Sequence, residues 1–272
     1  MPEAPEVEAL AHFLRERLTG QRVTGVELVE GRALKTRARP LDTVRGRALT
    51  AVHRFGKHLD LDLDGAHLSV GFGRAGWATW DEDGDPGQGA AAATAAVIAR
   101  IEFDRGVLGI TDAGDWLSVQ LHVVDEPDEV AAVAKLGPDA ADPVFSREML
   151  AAALGTRRKQ LKALLQEQES LAGIGNAYSD EILFAARLNP VAHAAALSED
   201  EVTRLWTALH EVLGDAVRAR RGVPIAQQKE AKVAAMRVHG RTGEPCPGCG
   251  GVVEDIPGTK GGGQWCPSCQ GG

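Results

Sequence analysis

Residues 22 to 124 alternate apolar and polar side chains in short runs that Gly and Asp interrupt, as in HLDLDLD and WLSVQLHVV. A period of two places one face of a strand in a core and the other toward water. A chain with many such runs is predicted to form an antiparallel sandwich or barrel. Residues 81 to 96, DEDGDPGQGAAAATAA, are low in complexity and are expected to form a mobile acidic hairpin loop.

Apolar residues at helical spacing predict an amphipathic helix over residues 5 to 19. They are Val7, Leu10, Phe13, Leu14 and Leu18. After residue 135 the pattern becomes helical again, and after Pro224 the chain is expected to be irregular. Further helices are predicted over residues 146 to 154, 157 to 169, 176 to 187 and 198 to 220. The fold class is therefore α+β, with an N-terminal antiparallel β-sandwich and a C-terminal helical region.

The charge of the chain is divided unevenly. The net charge is -8, which by itself argues against a nucleic-acid partner. Residues 1 to 143 carry 15 basic and 24 acidic residues, a balance of -9, whereas residues 144 to 272 carry 15 and 14, a balance of +1. The second half is the better platform for DNA, although charged runs are also common on ordinary solvated faces.

All four cysteines lie near the carboxyl end as two CxxC pairs with 16 residues between them. They are Cys246, Cys249, Cys266 and Cys269. This spacing is typical of one structural Zn²⁺ bound by four thiolates, and such a closed site supplies folding energy instead of catalysis. The alternative is four unrelated thiols.

The chain begins Met-Pro-Glu-Ala-Pro-Glu. Removal of Met1 would make Pro2 a free secondary amine followed directly by the carboxyl of Glu3. An α-amino group has a pKa of roughly 8, so a useful fraction is neutral and nucleophilic near pH 7. Glu3 could transfer protons as a general acid and later as a base. The alternative is that a proline near the terminus simply starts a helix.

Four segments in order give the chain its resemblance to a known family. They are MPEAPEVE at the start, Phe55-Gly-Lys-His-Leu59, Leu171-Ala-Gly-Ile-Gly-Asn-Ala-Tyr-Ser-Asp-Glu181, and Gly240-Arg-Thr-Gly-Glu-Pro-Cys246. Together they resemble the formamidopyrimidine-DNA glycosylase and endonuclease VIII family from end to end. The resemblance implies a catalytic β-sandwich domain over residues 1 to 135, a helix-two-turn-helix DNA-binding domain over 136 to 225, and a linker with a zinc finger over 226 to 272.

The resemblance also implies roles for single residues. Pro2 would form a Schiff base with the damaged nucleotide, Glu3 would move protons, and Lys57 would join the catalytic group while contacting phosphate. Asn176 and one basic residue of the 157 to 162 cluster, taken as Lys162, would bind phosphates on either side of the lesion. The glycines before Asn176 allow a tight turn, and a helix amino terminus favours phosphate.

Three departures from the family fall on DNA-contacting positions. Gly261 stands where the zinc hairpin of the family carries an arginine, with Lys260 the nearest basic substitute. Residues that fill the gap left by a flipped base differ as well: Arg74 aligns with a methionine, Gly114 and Asp115 replace arginines, and Trp116 keeps the aromatic ring. The segment from 222 to 234 is short and lacks the glycine-rich base-capping loop of oxidised-purine enzymes.

The function that the resemblance implies is a bifunctional DNA glycosylase and abasic-site lyase of base excision repair. It would act on damaged DNA as a monomer in the bacterial cytoplasm, and no run approaches the roughly 18 apolar residues of a membrane span. Two alternatives stay open: a non-catalytic DNA-damage binding protein on the same scaffold, and a glycosylase specialised for bulky alkylated bases or crosslink remnants.

Overall fold

The computed structural model describes residues 1 to 82, 95 to 259 and 262 to 271. These residues divide into two compact units. The first comprises Met1–Lys135 and Ala219–Lys229, and the second comprises Leu136–Arg218 and Glu230–Gly272. The expected acidic loop over 81 to 96 lies almost entirely outside the described residues.

The first unit is an antiparallel β-sandwich preceded by a helix, as the alternation predicts. Its elements are α1 (Ala4–Leu18), β1 (Val23–Leu28), β2 (Ala51–Phe55), β3 (His58–Asp62), β4 (His67–Gly71), β5 (Gly76–Asp81), β6 (Ala96–Phe103), β7 (Val107–Asp112), β8 (Gln120–Val124) and α2 (Ala131–Ala134). The two sheets have the strand orders β1-β6-β7-β5 and β2-β3-β4-β8. Side chains from both sheets and from α1 share one apolar core.

The second unit contains the predicted helices and the cysteine module. Its elements are α3 (Arg147–Leu154), α4 (Leu161–Leu165), α5 (Asn176–Ala186), most of α6 (Glu199–Arg220), most of α7 (Gln228–Ala235), β9 (Glu254–Asp255), β10 (Gln264–Trp265) and α8 (Pro267–Gln270). Ser146 caps α3 through its side chain, which accepts from the main-chain nitrogen of Met149. An apolar core lies among these helices.

Two helix predictions are corrected by the structure. The helix expected over 157 to 169 is only α4, since α4 begins after Gln160 and ends at Leu165, where the chain turns back on itself. The irregular chain expected after Pro224 is instead a 3₁₀ turn followed by α7. The 3₁₀ turn is anchored in the first unit, because Ile225 is buried in the sandwich core. The Ile225 carbonyl accepts from the Trp77 indole at 2.9 Å.

Candidate active site and nucleic-acid interface

The segment Pro2-Glu3 leads directly into α1. Glu3 is the N-cap residue, and its main-chain nitrogen donates to Glu6 Oε2 at 3.0 Å within a capping box. Glu3 is buried, whereas Pro2 is partly exposed and Met1 is 51% exposed. The capping box therefore fixes the backbone that follows Pro2, while Met1 is accessible to solvent.

Lys57 lies in the two-residue turn between β2 and β3. Gly56 in this turn has φ +57°, a left-handed conformation that suits glycine. Arg54 donates from Nη1 to the Gly56 carbonyl at 3.0 Å and from Nε to Glu8 Oε2 at 2.9 Å. Since Glu8 belongs to α1, Arg54 ties the turn that carries Lys57 to the helix that follows Pro2.

His58, next to Lys57, does not add charge to this turn. Burial, followed by the nearby charges of His122 and Lys57, lowers the pKa of His58 to about 4. His58 is therefore neutral near pH 7, and the ammonium of Lys57 is the positive charge of this pair of residues.

Asp112 organises the loop that carries Trp116. Its carboxylate accepts from the main-chain nitrogens of Gly114 at 3.0 Å, Ser118 at 2.7 Å and Val119 at 3.0 Å, and from Ser118 Oγ at 2.9 Å. Burial acts to raise the pKa of Asp112, but these hydrogen bonds outweigh burial and hold the pKa below its ordinary value. The loop over 113 to 118 is thus preformed around a carboxylate.

Ser118 connects this loop to the turn that carries Arg74. Its Oγ accepts from the main-chain nitrogens of Arg74 at 3.1 Å and Ala75 at 3.3 Å. Trp116 is 86% exposed, and Arg74 is also exposed. The structure therefore places the two large residues expected to fill the gap of a flipped base on two loops joined by one hydroxyl.

Gly114 leaves little room for the arginine that the resemblance to the family implies at this position. A Cβ at this position would lie 3.1 Å from the Ala75 Cβ, 3.2 Å from Asp112 Oδ1 and 3.3 Å from the Trp116 carbonyl. These contacts are tighter than ordinary van der Waals separations, so neighbouring atoms would have to move. A glycine at residue 114 thus agrees with the packing of the loop around Asp112.

The turn before α5 is braced by Gln168. Its Oε1 accepts from the main-chain nitrogen of Gly173, whose φ is +93°, at 3.0 Å, and its Nε2 donates to the Ile174 carbonyl at 2.8 Å. Asn176 is the first residue of α5, and it is partly exposed at a helix amino terminus that favours anions.

Lys162 lies in the interior, not on the surface expected from the basic cluster at 157 to 162. The residue is only 7% exposed. Its Nζ donates to Asp180 Oδ1 at 2.5 Å, to Ser179 Oγ at 3.0 Å and to the main-chain carbonyl of Asn176 at 3.1 Å. A phosphate contact by Lys162 stays a prediction, and this burial does not favour it. Lys260, the other expected phosphate contact, lies outside the described residues, as does Gly261.

The four cysteines come together as the spacing predicts. The Sγ atoms all lie within 4.8 Å of one another; those of Cys246 and Cys269 are 3.8 Å apart, and those of Cys249 and Cys266 are 3.5 Å apart. Tetrahedral zinc with bonds of about 2.3 Å sets neighbouring sulfurs roughly 3.8 Å apart. The cluster therefore fits one Zn²⁺.

Two adjacent acids of α5 join the helix to the cysteine module. The Glu181 carboxylate accepts from the main-chain nitrogens of Arg237, Val238 and His239 at 2.9 to 3.0 Å. Asp180 Oδ2 accepts from the main-chain nitrogen of Gln264 at 3.0 Å and lies 2.7 Å from His239 Nδ1. Sequence reasoning missed this pair, although two adjacent acids followed directly by the apolar run Ile182-Leu183-Phe184 are a recognisable signal of buried hydrogen bonding.

In the part of the chain that the structure describes, none of the helices combines the length and the apolar character that crossing a bilayer requires.

Comparisons with known proteins place these features in one class, the base-excision DNA glycosylases. The model of the formamidopyrimidine-DNA glycosylase N-terminal domain matches residues 1 to 114, and that of the H2TH domain matches residues 136 to 227. A formamidopyrimidine-DNA glycosylase of Moorella thermoacetica is 33% identical over 271 residues, covering 94% of each chain. The chain belongs to the formamidopyrimidine-DNA glycosylase family.

Solved structures agree with this assignment. MutM (Fpg) from Thermus thermophilus is 31% identical with a TM-score of 0.81, and the match covers 99% of each chain. A MutM in complex with DNA containing carbocyclic 8-oxo-G is 25% identical with a TM-score of 0.83, again over 99% of each chain. The expected fold class and the expected family are both confirmed.

Proposed function

We propose that this protein excises damaged bases from DNA and then cleaves the abasic site, with Pro2 as the nucleophile once Met1 has been removed. Glycosylase activity in DNA repair follows from membership of the family. The lyase step rests on one observation, which is that the Pro2 backbone leads straight into the capping box of Glu3 and Glu6. A fixed backbone after an amine with a pKa near neutrality suits a nucleophile.

The proposed reaction begins when the Pro2 nitrogen attacks C1′ of the flipped nucleotide and loses its proton. The C1′–N bond breaks, and the base departs with that electron pair and a proton. Opening of the sugar ring, with Glu3 as the proton donor to the ring oxygen, leaves an iminium between Pro2 and C1′. Loss of a C2′ proton then expels the 3′ phosphate, and a second elimination expels the 5′ phosphate. Water finally releases Pro2 from the sugar remnant.

The DNA-binding residues divide between the two units. In the first unit Lys57 would contact a phosphate, while Arg74 and Trp116 would fill the gap that the flipped nucleotide leaves. In the second unit Asn176 would donate from the amino end of α5 to another phosphate. The related MutM was solved with DNA containing 8-oxo-G, which supports DNA as the partner here.

One Zn²⁺ bound by the cluster of Cys246, Cys249, Cys266 and Cys269 would act structurally. With four protein thiolates it has no open position for substrate, and it would hold the hairpin of β9 and β10 beside α5. Bacterial relatives of matching length support a protein that works in the bacterial cytoplasm, and we propose that it does so as a monomer.

Borohydride trapping on a duplex with one abasic site tests the proposal. Protein verified by mass to lack Met1 is expected to become covalently attached to the DNA, whereas protein that keeps Met1 is not, because its Pro2 nitrogen is an amide. Pro2→Gly should lower lyase turnover, and Glu3→Gln should largely abolish base removal with DNA binding retained.

If protein verified to lack Met1 binds the duplex but is not trapped, the lyase mechanism is contradicted. That result would support a non-catalytic damage-binding protein. Equal trapping with Met1 retained would exclude Pro2 as the nucleophile. A lesion panel that includes alkylated purines and crosslink remnants then decides whether the substrate is one of the specialised classes.

A further inference from the structure

Asn176 is the only partly exposed residue in a buried stretch of the second unit. Every residue from Leu171 to Gly175 and from Ala177 to Phe184 is buried. A side-chain amide has two faces of opposite polarity, an oxygen that accepts and a nitrogen that donates. Which of them Asn176 presents to solvent decides whether it attracts or repels a phosphate.

Lys162 fixes which of the groups around Asn176 donate hydrogen bonds and which accept them. An ammonium group can only donate, and Lys162 Nζ donates to Ser179 Oγ at 3.0 Å. The Ser179 hydroxyl in turn donates its single hydrogen to the main-chain carbonyl of Asn176 at 2.9 Å. Toward any third partner, Ser179 Oγ can therefore only accept.

Gln166 is that third partner. Its side chain reaches Ser179 Oγ at 3.1 Å, and because Ser179 must accept, the group that faces it is the Gln166 amide nitrogen. The same Nε2 lies 3.1 Å from the Asn176 side chain, which must also accept and therefore turns its Oδ1 toward Gln166. The Asn176 Nδ2 is then the group that faces away.

We propose that Gln166 is a positioning residue that sets the amide of Asn176 with its nitrogen toward a DNA phosphate. This inference rests on the proposed phosphate contact of Asn176. The main chain of Gln166 is itself held, because Gln168 Nε2 donates to the Gln166 carbonyl at 2.8 Å and the Gln166 nitrogen donates to the Lys162 carbonyl at 3.2 Å. An amide fixed in advance binds a phosphate without first reorienting.

A substitution that reverses the polarity tests the idea. Gln166→Glu has nearly the same shape, but its carboxylate accepts where glutamine donates, so Asn176 would turn its nitrogen inward and its oxygen toward the DNA. Gln166→Met removes the constraint without reversing it. Gln160→Glu is the control for added negative charge, since Gln160 is exposed at the start of α4 and has no side-chain bond to Asn176 among the described contacts.

The measurement is the Kd for a duplex that carries a tetrahydrofuran abasic-site analogue. We expect Gln166→Glu to weaken binding about tenfold or more, the order of one lost hydrogen bond to a charged group, and Gln166→Met to weaken it roughly threefold. Gln160→Glu should stay within about twofold of the wild type. Ser179→Ala, which removes the acceptor that orients Gln166, should resemble Gln166→Met, and melting temperatures identify any variant that fails to fold.

An Asn176→Ala background separates the positioning role of Gln166 from the proposed phosphate contact of Asn176. If Gln166 acts through Asn176, the Gln166→Glu and Gln160→Glu substitutions should have equal effects in that background. The positioning role would be overturned if Gln166→Glu weakened DNA binding as much in the Asn176→Ala background as in the wild type, or if Gln166→Glu alone had a wild-type Kd. Either result would leave the proposed function intact. A wild-type Kd for Asn176→Ala itself would remove the phosphate contact and the inference with it, whereas borohydride trapping would still report on Pro2.

Discussion

Arg220 Nε lies 3.8 Å from Glu6 Oε1, and both side chains are buried in the first unit. The same Glu6 carboxylate group accepts from the main-chain nitrogen of Glu3. The guanidinium at the end of α6 therefore balances the charge of Glu6, whose carboxylate fixes the main chain of the N-cap residue Glu3.

Replacing Arg220 with Met should lower the free energy of unfolding by about 3 kcal/mol, because it removes the buried cation beside the Glu6 carboxylate. Urea denaturation measures the change. The double variant Glu6→Gln with Arg220→Met should be more stable than Arg220→Met alone, since the buried negative charge is then removed as well. Unchanged stability of the single variant would show that water or another group already compensates Glu6.

Replacing Trp116 with Ala should slow cleavage of duplex substrates strongly and leave the melting temperature unchanged, because the ring is 86% exposed. The ring is expected to fill the unstacked gap, and extrusion costs a few kcal/mol in paired DNA but less in single strands. Single-turnover cleavage of one lesion opposite each of the four bases and in a single strand is the measurement, with Trp116→Phe as the control that keeps a ring.

For the wild type we expect nearly equal rates whichever base lies opposite the lesion, since Gly114 and Asp115 offer no arginine to read that base. Single-stranded or helix-distorting substrates should be cleaved better than 8-oxoguanine paired with cytosine. A strong preference for cytosine opposite the lesion would contradict this assignment of the loop.

Asp112 should stabilise the protein in a pH-dependent manner. Its pKa lies below the ordinary value of 3.8, so its hydrogen bonds contribute fully above that value and are lost as the pH falls through the lowered pKa. Asp112→Asn should therefore cost about 1 to 2 kcal/mol between pH 5 and 7, and this difference from the wild type should shrink in more acidic solution. The measurement is urea denaturation across pH.

Asp115→Asn is the matched control, because Asp115 is an exposed carboxylate in the same loop. A cost of Asp112→Asn that does not change between pH 5 and strongly acidic solution would show that the charge of Asp112 does not support the loop.

Replacing Cys249 with Ser should release the metal and weaken DNA binding at least tenfold, since a structural zinc site supplies on the order of 10 kcal/mol of folding free energy in small modules. Metal analysis of the purified protein should find one zinc per chain in the wild type. Ser268→Ala changes an exposed residue between Cys266 and Cys269 and should leave both properties unaltered. Equal DNA affinity after verified loss of metal would show that the module serves another purpose.

The sandwich and the longer helices could be predicted because each has one buried face, which the sequence repeats with a period of two or 3.6 residues. Cysteine spacing similarly predicts a cluster, since the ligands of each pair are neighbours along the chain. The burial of Lys162 could not be predicted in this way. Its surroundings are Ser179 and Asp180 of α5, and the packing of one helix against another has no local pattern.

The role that we propose for Gln166 could not be predicted from the sequence either, because a glutamine in the connection between α4 and α5 is a common residue in such a place. Its importance depends on the direction of each hydrogen bond around Ser179, which only the three-dimensional arrangement defines. Gly114 shows the opposite case: the sequence predicts a departure from the family at this residue, and the structure shows that a side chain there would crowd its neighbours.

The first unit is built from two separated stretches of chain, and this has a consequence during translation. Ile225, whose carbonyl holds the Trp77 indole, and Arg220, which pairs with Glu6, reach the sandwich only after most of the second unit has been synthesised. A nascent chain that stops after residue 135 would lack both the Ile225 carbonyl beside Trp77 and the Arg220 guanidinium beside Glu6. The first unit is therefore expected to reach its full stability only after the helices of the second unit have been synthesised.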